Sequence, residues 1–499
     1  MTLLSQKQYQ LPNYSIIEYR FSAPLDYTGE YTDPAAQLFN SEKNLETTLL
    51  PSEITVFVRE FVGNTADAEK LPRLIYFQGG PGSAGNRAEP LGGWMEILLN
   101  KYRIVMLDQR GTGLSTPIDG EFLETFGNPV TQASFLACFR ADSIVRDAEM
   151  IRKELQEDEP WTLLGQSFGG FCITTYLSLA PAGLKAGMIT AGLPSTHLHA
   201  DSVYELTWEK TEQRNREFFQ RYPEDEETCW KIVAHLAQTP EYLPTGERLT
   251  PRRFRMLGIN LGWSYGLEKL HHLLEDPFVP AAKLSDIAEE GDSSQTPSEL
   301  ALQTVSGERL NSRFLHAVGN ELSFGANPLY WALHEAIYAQ KNIESSNTGT
   351  AATAWSAHRM REKFPQFSLP DLTAGARGEQ QLREDLHQQG FGFRFSGEHV
   401  FPWQGEEDPA LQKFAAAVEL IANSTQLPEL HCQEILAKNE VPVAAWIYLP
   451  DMFVPHELSE QTASEIPNLQ PLISETHHHD GLRTDAQFIV DKLLNSLTL

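Results

Sequence analysis

Cysteine is scarce in this chain: there are four in 499 residues, Cys138, Cys172, Cys229 and Cys432. They form no C-x-x-C pair and are too few for a disulfide framework, so free thiols in a reducing compartment are expected. Long apolar runs are missing too. No stretch reaches the ~18 residues of a membrane helix, which sets aside a membrane partner. Residues 1–12 are polar, with neither a basic start nor an apolar core, so the expectation is a cytoplasmic protein without an export signal. Positive charge is in deficit, 39 Lys and Arg against 67 Asp and Glu, for a formal charge of −28. That sign argues against nucleic acid as a partner and mainly serves solubility. Internal repeats, H-E-x-x-H and spaced carboxylate clusters are absent, so neither metal nor cofactor is expected, and no feature signals an oligomeric state. The length allows two to three domain-sized units around a large core.

What is present centres on Trp161-Thr-Leu-Leu-Gly-Gln-Ser-Phe-Gly-Gly170, an apolar run that breaks into a glycine-bracketed serine. An apolar, helix-compatible stretch over 171–180 follows. Gly165 and Gly169 flank Ser167 at the G-x-S-x-G spacing of a nucleophile elbow, a sharp strand-to-helix turn with no room for neighbouring Cβ atoms. Such a turn lifts a serine hydroxyl above the C-terminal edge of a parallel sheet and sets the next N–H at a helix N-terminus.

The surrounding pattern supplies that sheet. Residues 15–27 and 54–62 read as antiparallel strands, and Leu74-Ile-Tyr-Phe77 as a buried strand entering the loop Gln78-Gly-Gly-Pro-Gly82. A helix is expected over 94–101, a strand over 103–107, an amphipathic helix over 141–155 and a further strand over 186–191. Strand alternating with helix implies a parallel sheet. From 195 to 427 the chain is rich in helix formers, tryptophan and acidic residues without convincing strand alternation, and a helical cap inserted into the sheet domain is expected. Within it the acidic stretch 284–298 reads as a solvated loop. Strands return at 441–449 and 469–474, before a closing helix at 485–497. The resulting division is core 1–194, cap 195–427 and core 428–499.

A serine nucleophile needs a histidine to take its proton and a carboxylate to orient that histidine. In this topology the partners follow in the order Ser, Asp, His, each at the end of a later strand. Asp451 closes Trp446-Ile-Tyr-Leu-Pro450, and His477-His-His479 closes the last strand. His479 is preferred because Asp480-Gly481 supplies a turn, with His478 in reserve. Three consecutive histidines cannot all face one metal ion. The backbone N–H groups of Phe168 and Gly80 are the expected oxyanion donors.

These residues resemble the prolyl aminopeptidases of the α/β-hydrolase fold. Gln78-Gly-Gly-Pro-Gly82 is similar to the family's His-Gly-Gly-Pro-Gly loop, and Asp108-Gln-Arg-Gly-Thr-Gly-Leu-Ser115 to its Asp-Gln-Arg-Gly-x-Gly-x-Ser. Further similar segments are Asn327-Pro-Leu-Tyr330, His334-Glu-Ala-Ile-Tyr338, Gly397-Glu-His-Val-Phe-Pro-Trp403, Asp451-Met-Phe-Val454 and His479-Asp-Gly-Leu-Arg483. Gln78 departs from the usual histidine, which touches the loop's support rather than a backbone donor. The resemblance implies Ser167, Asp451 and His479 as triad and peptides with N-terminal proline as substrates. An esterase or amidase acting on small uncharged substrates is the competing reading.

An aminopeptidase must also receive a positive secondary ammonium, and enclosing it without a carboxylate costs several kcal/mol. Glu335, on a largely apolar helix, is the first candidate and Glu398 the second. Trp331 and Tyr338 are candidates for the walls of a proline slot. The competing reading of each glutamate is a helix cap or an arginine partner.

Overall fold

The computed structural model describes residues 1–29, 50–87, 91–282, 305–339 and 351–497. Its centre is a nine-stranded sheet. Seven strands precede the insertion: β1 (Thr2–Gln10), β2 (Tyr14–Pro24), β3 (Glu53–Gly63), β4 (Arg73–Phe77), β5 (Arg103–Asp108), β6 (Trp161–Gln166) and β7 (Leu184–Thr190). Within the insertion, two small antiparallel pairs lie among the described residues, β8 (Glu241–Tyr242) with β9 (Arg248–Leu249), and β10 (Phe278–Ala282) with β11 (Val305–Leu310). β12 (Val443–Tyr448) and β13 (Leu469–Ser474) complete the sheet in the order β1-β2-β3-β5-β4-β6-β7-β12-β13. The first three strands and β5 pair antiparallel, and all pairs from β5 onward are parallel.

β6 and β12 are buried along their whole length because helices cover both sheet faces, which is why they read as continuous apolar runs. Strand alternation divides them between two cores. Leu74, Tyr76, Leu164 and Trp446 pack with the helices Trp94–Leu99 and Ala486–Ser496 on one face. Ile75, Phe77, Leu163 and Ile447 pack with Ala141–Gln156 and Phe168–Leu179 on the other, and that second core runs on into the insertion.

The insertion between β7 and β12 is mainly helical, as expected, with Ala200–Arg221 the longest helix among its described residues. These pairs are additions to the expectation; two-residue strands such as β8 and β9 are too short to show a period. β1 is another addition. It is exposed on both faces, so it has no apolar alternation, and Gln6, Lys7 and Gln8 make it a polar sheet edge. The acidic loop expected over 284–298 lies outside the described residues. Buried Arg140 fastens insertion to sheet domain, donating to the carbonyls of Ala336, Ala339 and Pro428. Among the described residues no helix is long and apolar enough to cross a membrane.

Candidate active site

Ser167 sits between the end of β6 and the helix Phe168–Leu179 with φ +57° and ψ −129°, a left-handed strain that a non-glycine residue tolerates only when its surroundings enforce it. They do so here. The Ser167 N–H donates to the Thr190 carbonyl at 3.1 Å, and its own carbonyl accepts from Gly170 at 2.7 Å. A Cβ at Gly169 would overlap the Phe77 carbonyl and one at Gly165 the Gly169 carbonyl, so both glycines are required by close backbone approach. Phe168 is the first residue of the helix, where N–H groups have no partner within the helix.

Asp451 follows β12 in a tight turn and is 1% exposed. Its Oδ1 accepts from the Phe453 and Val454 N–H groups at 2.8 and 3.2 Å, which aims Oδ2 at His479 Nδ1, 2.8 Å away. The imidazole is 2% exposed, with Phe453 and Trp263 edge-on at 4.8 and 5.6 Å. Burial pulls its pKa down, but the charge and hydrogen bond of Asp451, with help from Glu398, outweigh that and the net shift is upward. Gln166, next to Ser167, donates to the His479 carbonyl at 3.2 Å. The other two histidines turn elsewhere. His477 Nδ1 pairs with Ser474 Oγ at 2.7 Å and its ring stacks on Phe488, while His478 is half-buried and its Nδ1 has no hydrogen-bond partner among the described residues.

The glycine loop after β4 lies over the elbow: a Cβ on Gly79 would come within 3.1 Å of Ser167 Cβ. Gly80 has φ +126°, a conformation that side chains resist. The Asp108–Ser115 segment holds this loop from below. Asp108 Oδ1 accepts from the Gly85 N–H at 3.0 Å, and Gln109 Nε2 donates to the Gln78 carbonyl at 3.1 Å. Arg110 is wholly buried, paired fork-to-fork with Asp147 at 2.6 and 2.7 Å, and donates to the carbonyls of Pro24, Leu25 and Cys138. That motif is scaffold.

The helical run from Pro328 to Tyr338 separates the remaining candidates by face. Trp331 and Glu335, four apart, share one side. There Glu335 accepts the Ser356 and Ala357 N–H groups at 2.9 and 2.8 Å and so caps the helix Ser356–Met360, and Trp331 donates to the Phe401 carbonyl and packs on Trp355. The void beside them holds about 10 Å³, the limit for one water. The preference for Glu335 over Glu398, and Trp331 as a slot wall, are therefore corrected: both side chains are consumed in holding the cap together. Tyr330, His334 and Tyr338 occupy the other side. Tyr338 lies edge-on to Phe171 of the elbow helix at 5.6 Å, and Tyr330 Oη reaches Glu398 at 3.4 Å. Glu398 is held in the field of both His479 and Asp451, and among the described residues no Lys or Arg pairs with it. Burial pushes its pKa up, His479 pulls it down and Asp451 pushes it up again, leaving it at about 8. A cavity of about 160 Å³ opens against Glu398 and Tyr330, walled by Met256, Ile259, Phe324 and Val400.

Residues 72–233 match the alpha/beta hydrolase fold family. Over 441 residues, covering 88% of this chain and 91% of the relative, the sequence is 37% identical to a proline iminopeptidase of Aeromonas sobria. The chain belongs to the proline iminopeptidase family. A second member, from Aspergillus aculeatus, is 30% identical over 86% of this chain and 85% of its own length. The solved proline iminopeptidase of Mycobacterium smegmatis aligns at 14% identity and a TM-score of 0.40, over 90% of this chain and 97% of that one.

In this iminopeptidase-family chain the sequence reading passed over several residues that stand around the site. Tyr330 and His334 had a legible signal, the spacing of four that groups them with Tyr338. Tyr204, on the helix Ala200–Arg221, reaches the same place from across the cap, 5.5 Å from Tyr338. Trp263 and Ser264 had none. Ser264 donates from both N and Oγ to Asp480 Oδ1, at 3.0 and 2.6 Å, and so ties the cap to the turn that carries His479.

Proposed function

We propose that this chain is a serine exopeptidase that releases N-terminal proline from peptides. Ser167 Oγ attacks the prolyl carbonyl while His479 takes its proton, and Asp451 holds the imidazole and stabilises its charged form. The Phe168 and Gly80 N–H groups receive the developing oxyanion. Collapse of the tetrahedral intermediate passes the proton to the departing amine and leaves a prolyl ester on Ser167; water, activated by the same histidine, then frees proline. No cofactor enters this sequence. Residues 195–427 act as the cap that encloses the substrate's first residue. Four free thiols favour a reducing compartment, the cytoplasm.

Glu398 carries the reading. A carboxyl buried beside the triad, without a cationic partner among the described residues, suits a substrate that brings its own positive charge; an esterase for neutral substrates has no use for it. The test compares three substrates: prolyl p-nitroanilide, its N-acetyl derivative and p-nitrophenyl acetate. Turnover of the first with little of the second is expected. Equal turnover of both anilides would remove amine recognition and leave the amidase reading.

A further inference from the structure

His334 is 1% exposed, and neither ring nitrogen has a hydrogen-bond partner among the described residues. An orphaned buried polar atom forfeits its hydration without replacement, so a histidine buried in this way calls for a use. Its surroundings show one. The ring lies between Tyr330 and Tyr338, at 4.7 and 6.4 Å, and its Nε2 stands 4.0 Å from Glu398 Oε1. That gap is too long for a hydrogen bond between the two. The separation suits a shared donor: a nitrogen placed ~2.9 Å from each acceptor would see them at an angle of roughly 90°, near the tetrahedral angle between two N–H bonds. Burial drives the His334 pKa down to about 3, so the imidazole is neutral and one ring nitrogen keeps a lone pair.

We propose that His334 is a substrate-binding residue that accepts the second N–H of the prolyl ammonium, whose first N–H goes to Glu398. This rests on the exopeptidase reading and deepens it. A secondary ammonium carries two N–H donors, matching one carboxylate oxygen and one imidazole nitrogen. The primary ammonium of any other N-terminal residue brings a third donor toward the two tyrosine rings. The neutral imidazole gives selectivity by geometry where a second carboxylate would add only charge, and the cation remains paired with a single anion.

The test measures kcat/KM of the full chain for prolyl p-nitroanilide and for p-nitrophenyl acetate, in wild type, His334→Leu and His334→Gln. The ratio of anilide to ester should fall tenfold or more in His334→Leu, mainly through KM. His334→Gln, whose side-chain oxygen reaches the position of Nε2, should recover most of the loss. An unchanged ratio in His334→Leu overturns the proposal. So does a loss that Gln does not restore, or one shared equally by both substrates, since either marks a packing role. Failure of the exopeptidase reading shows separately, as wild type that cleaves N-acetylprolyl p-nitroanilide as well as the free amine.

Discussion

Replacing Glu398 with glutamine removes one charge and preserves the shape of the site. An ammonium ~4 Å from a carboxylate gains roughly 4 kcal/mol at an effective dielectric near 20. Ionising Glu398 offsets part of that, because with a pKa of about 8 the anion costs ~1.4 kcal/mol at pH 7. The remainder predicts that Glu398→Gln lowers kcat/KM for prolyl p-nitroanilide on the order of 30- to 100-fold at pH 7. The deficit should widen with pH. The ionised fraction rises from about a tenth at pH 7 to about a half at pH 8, so wild type should gain roughly fivefold over the variant across that unit. Initial rates from pH 6 to 8.5, expressed as the ratio of the two proteins, cancel the titration of the substrate amine. A ratio near one, flat across the range, would refute amine binding at Glu398. Stability should move the opposite way. The folded pKa lies above the ordinary 4.5, so the folded state holds this proton more tightly than the unfolded chain does. Its contribution is intact below about pH 4.5, is lost as pH rises toward about 8 and changes no further above that. Glu398→Gln should therefore raise Tm relative to wild type by more at pH 8 than at pH 5, as read by thermal unfolding.

Ser167→Ala should lose on the order of 10⁴- to 10⁶-fold in kcat with an unchanged Tm, and a variant keeping a tenth of the activity would sink the nucleophile. His479→Ala should be inactive, whereas His477→Ala, which loses its Ser474 and Asp485 contacts and its stacking on Phe488, should keep substantial turnover; the reverse order in the same assay would reassign the base. Glu335→Gln should behave as a stability variant. It retains one acceptor for two N–H groups, so a loss of about 1–2 kcal/mol in denaturant unfolding is expected, with prolyl anilide turnover impaired less than in Glu398→Gln.

The sheet and the elbow were legible because their constraints are local. Buried parallel strands leave apolar runs, and a turn that presses Gly169 onto the Phe77 carbonyl leaves glycines at fixed spacing. Asp451 and His479 could be named because each follows a strand that the run pattern located, and the structure brings them to 2.8 Å. The choice between Glu335 and Glu398 was not legible in the same way. An acid on an apolar helix is equally the mark of a cap for another helix, and the N–H groups that Glu335 accepts lie 21 and 22 residues later, which no local pattern connects to it. Glu398 sits on an extended stretch without helix or strand periodicity, so its direction toward His479 is a property of the assembled cap. β1 escaped notice for a simpler reason: an edge strand wet on both faces carries no apolar signal.

The clasp between Ser264 and Asp480 bears on how such a chain can be rebuilt. An inserted region is commonly regarded as a detachable module, to be trimmed for a smaller catalyst or exchanged for another specificity. Here the insertion supplies two of the donors that fix the turn after His479, one of the aromatic rings against that imidazole and the carbonyls that satisfy Arg140. Excision would take the Ser264 tether from the turn that carries His479 and the Ala336 and Ala339 carbonyls from the buried Arg140 guanidinium, at a cost of several kcal/mol. Grafts are constrained in the same way: a donor region must bring a hydroxyl-bearing residue to position 264, or specificity and turnover will be lost together.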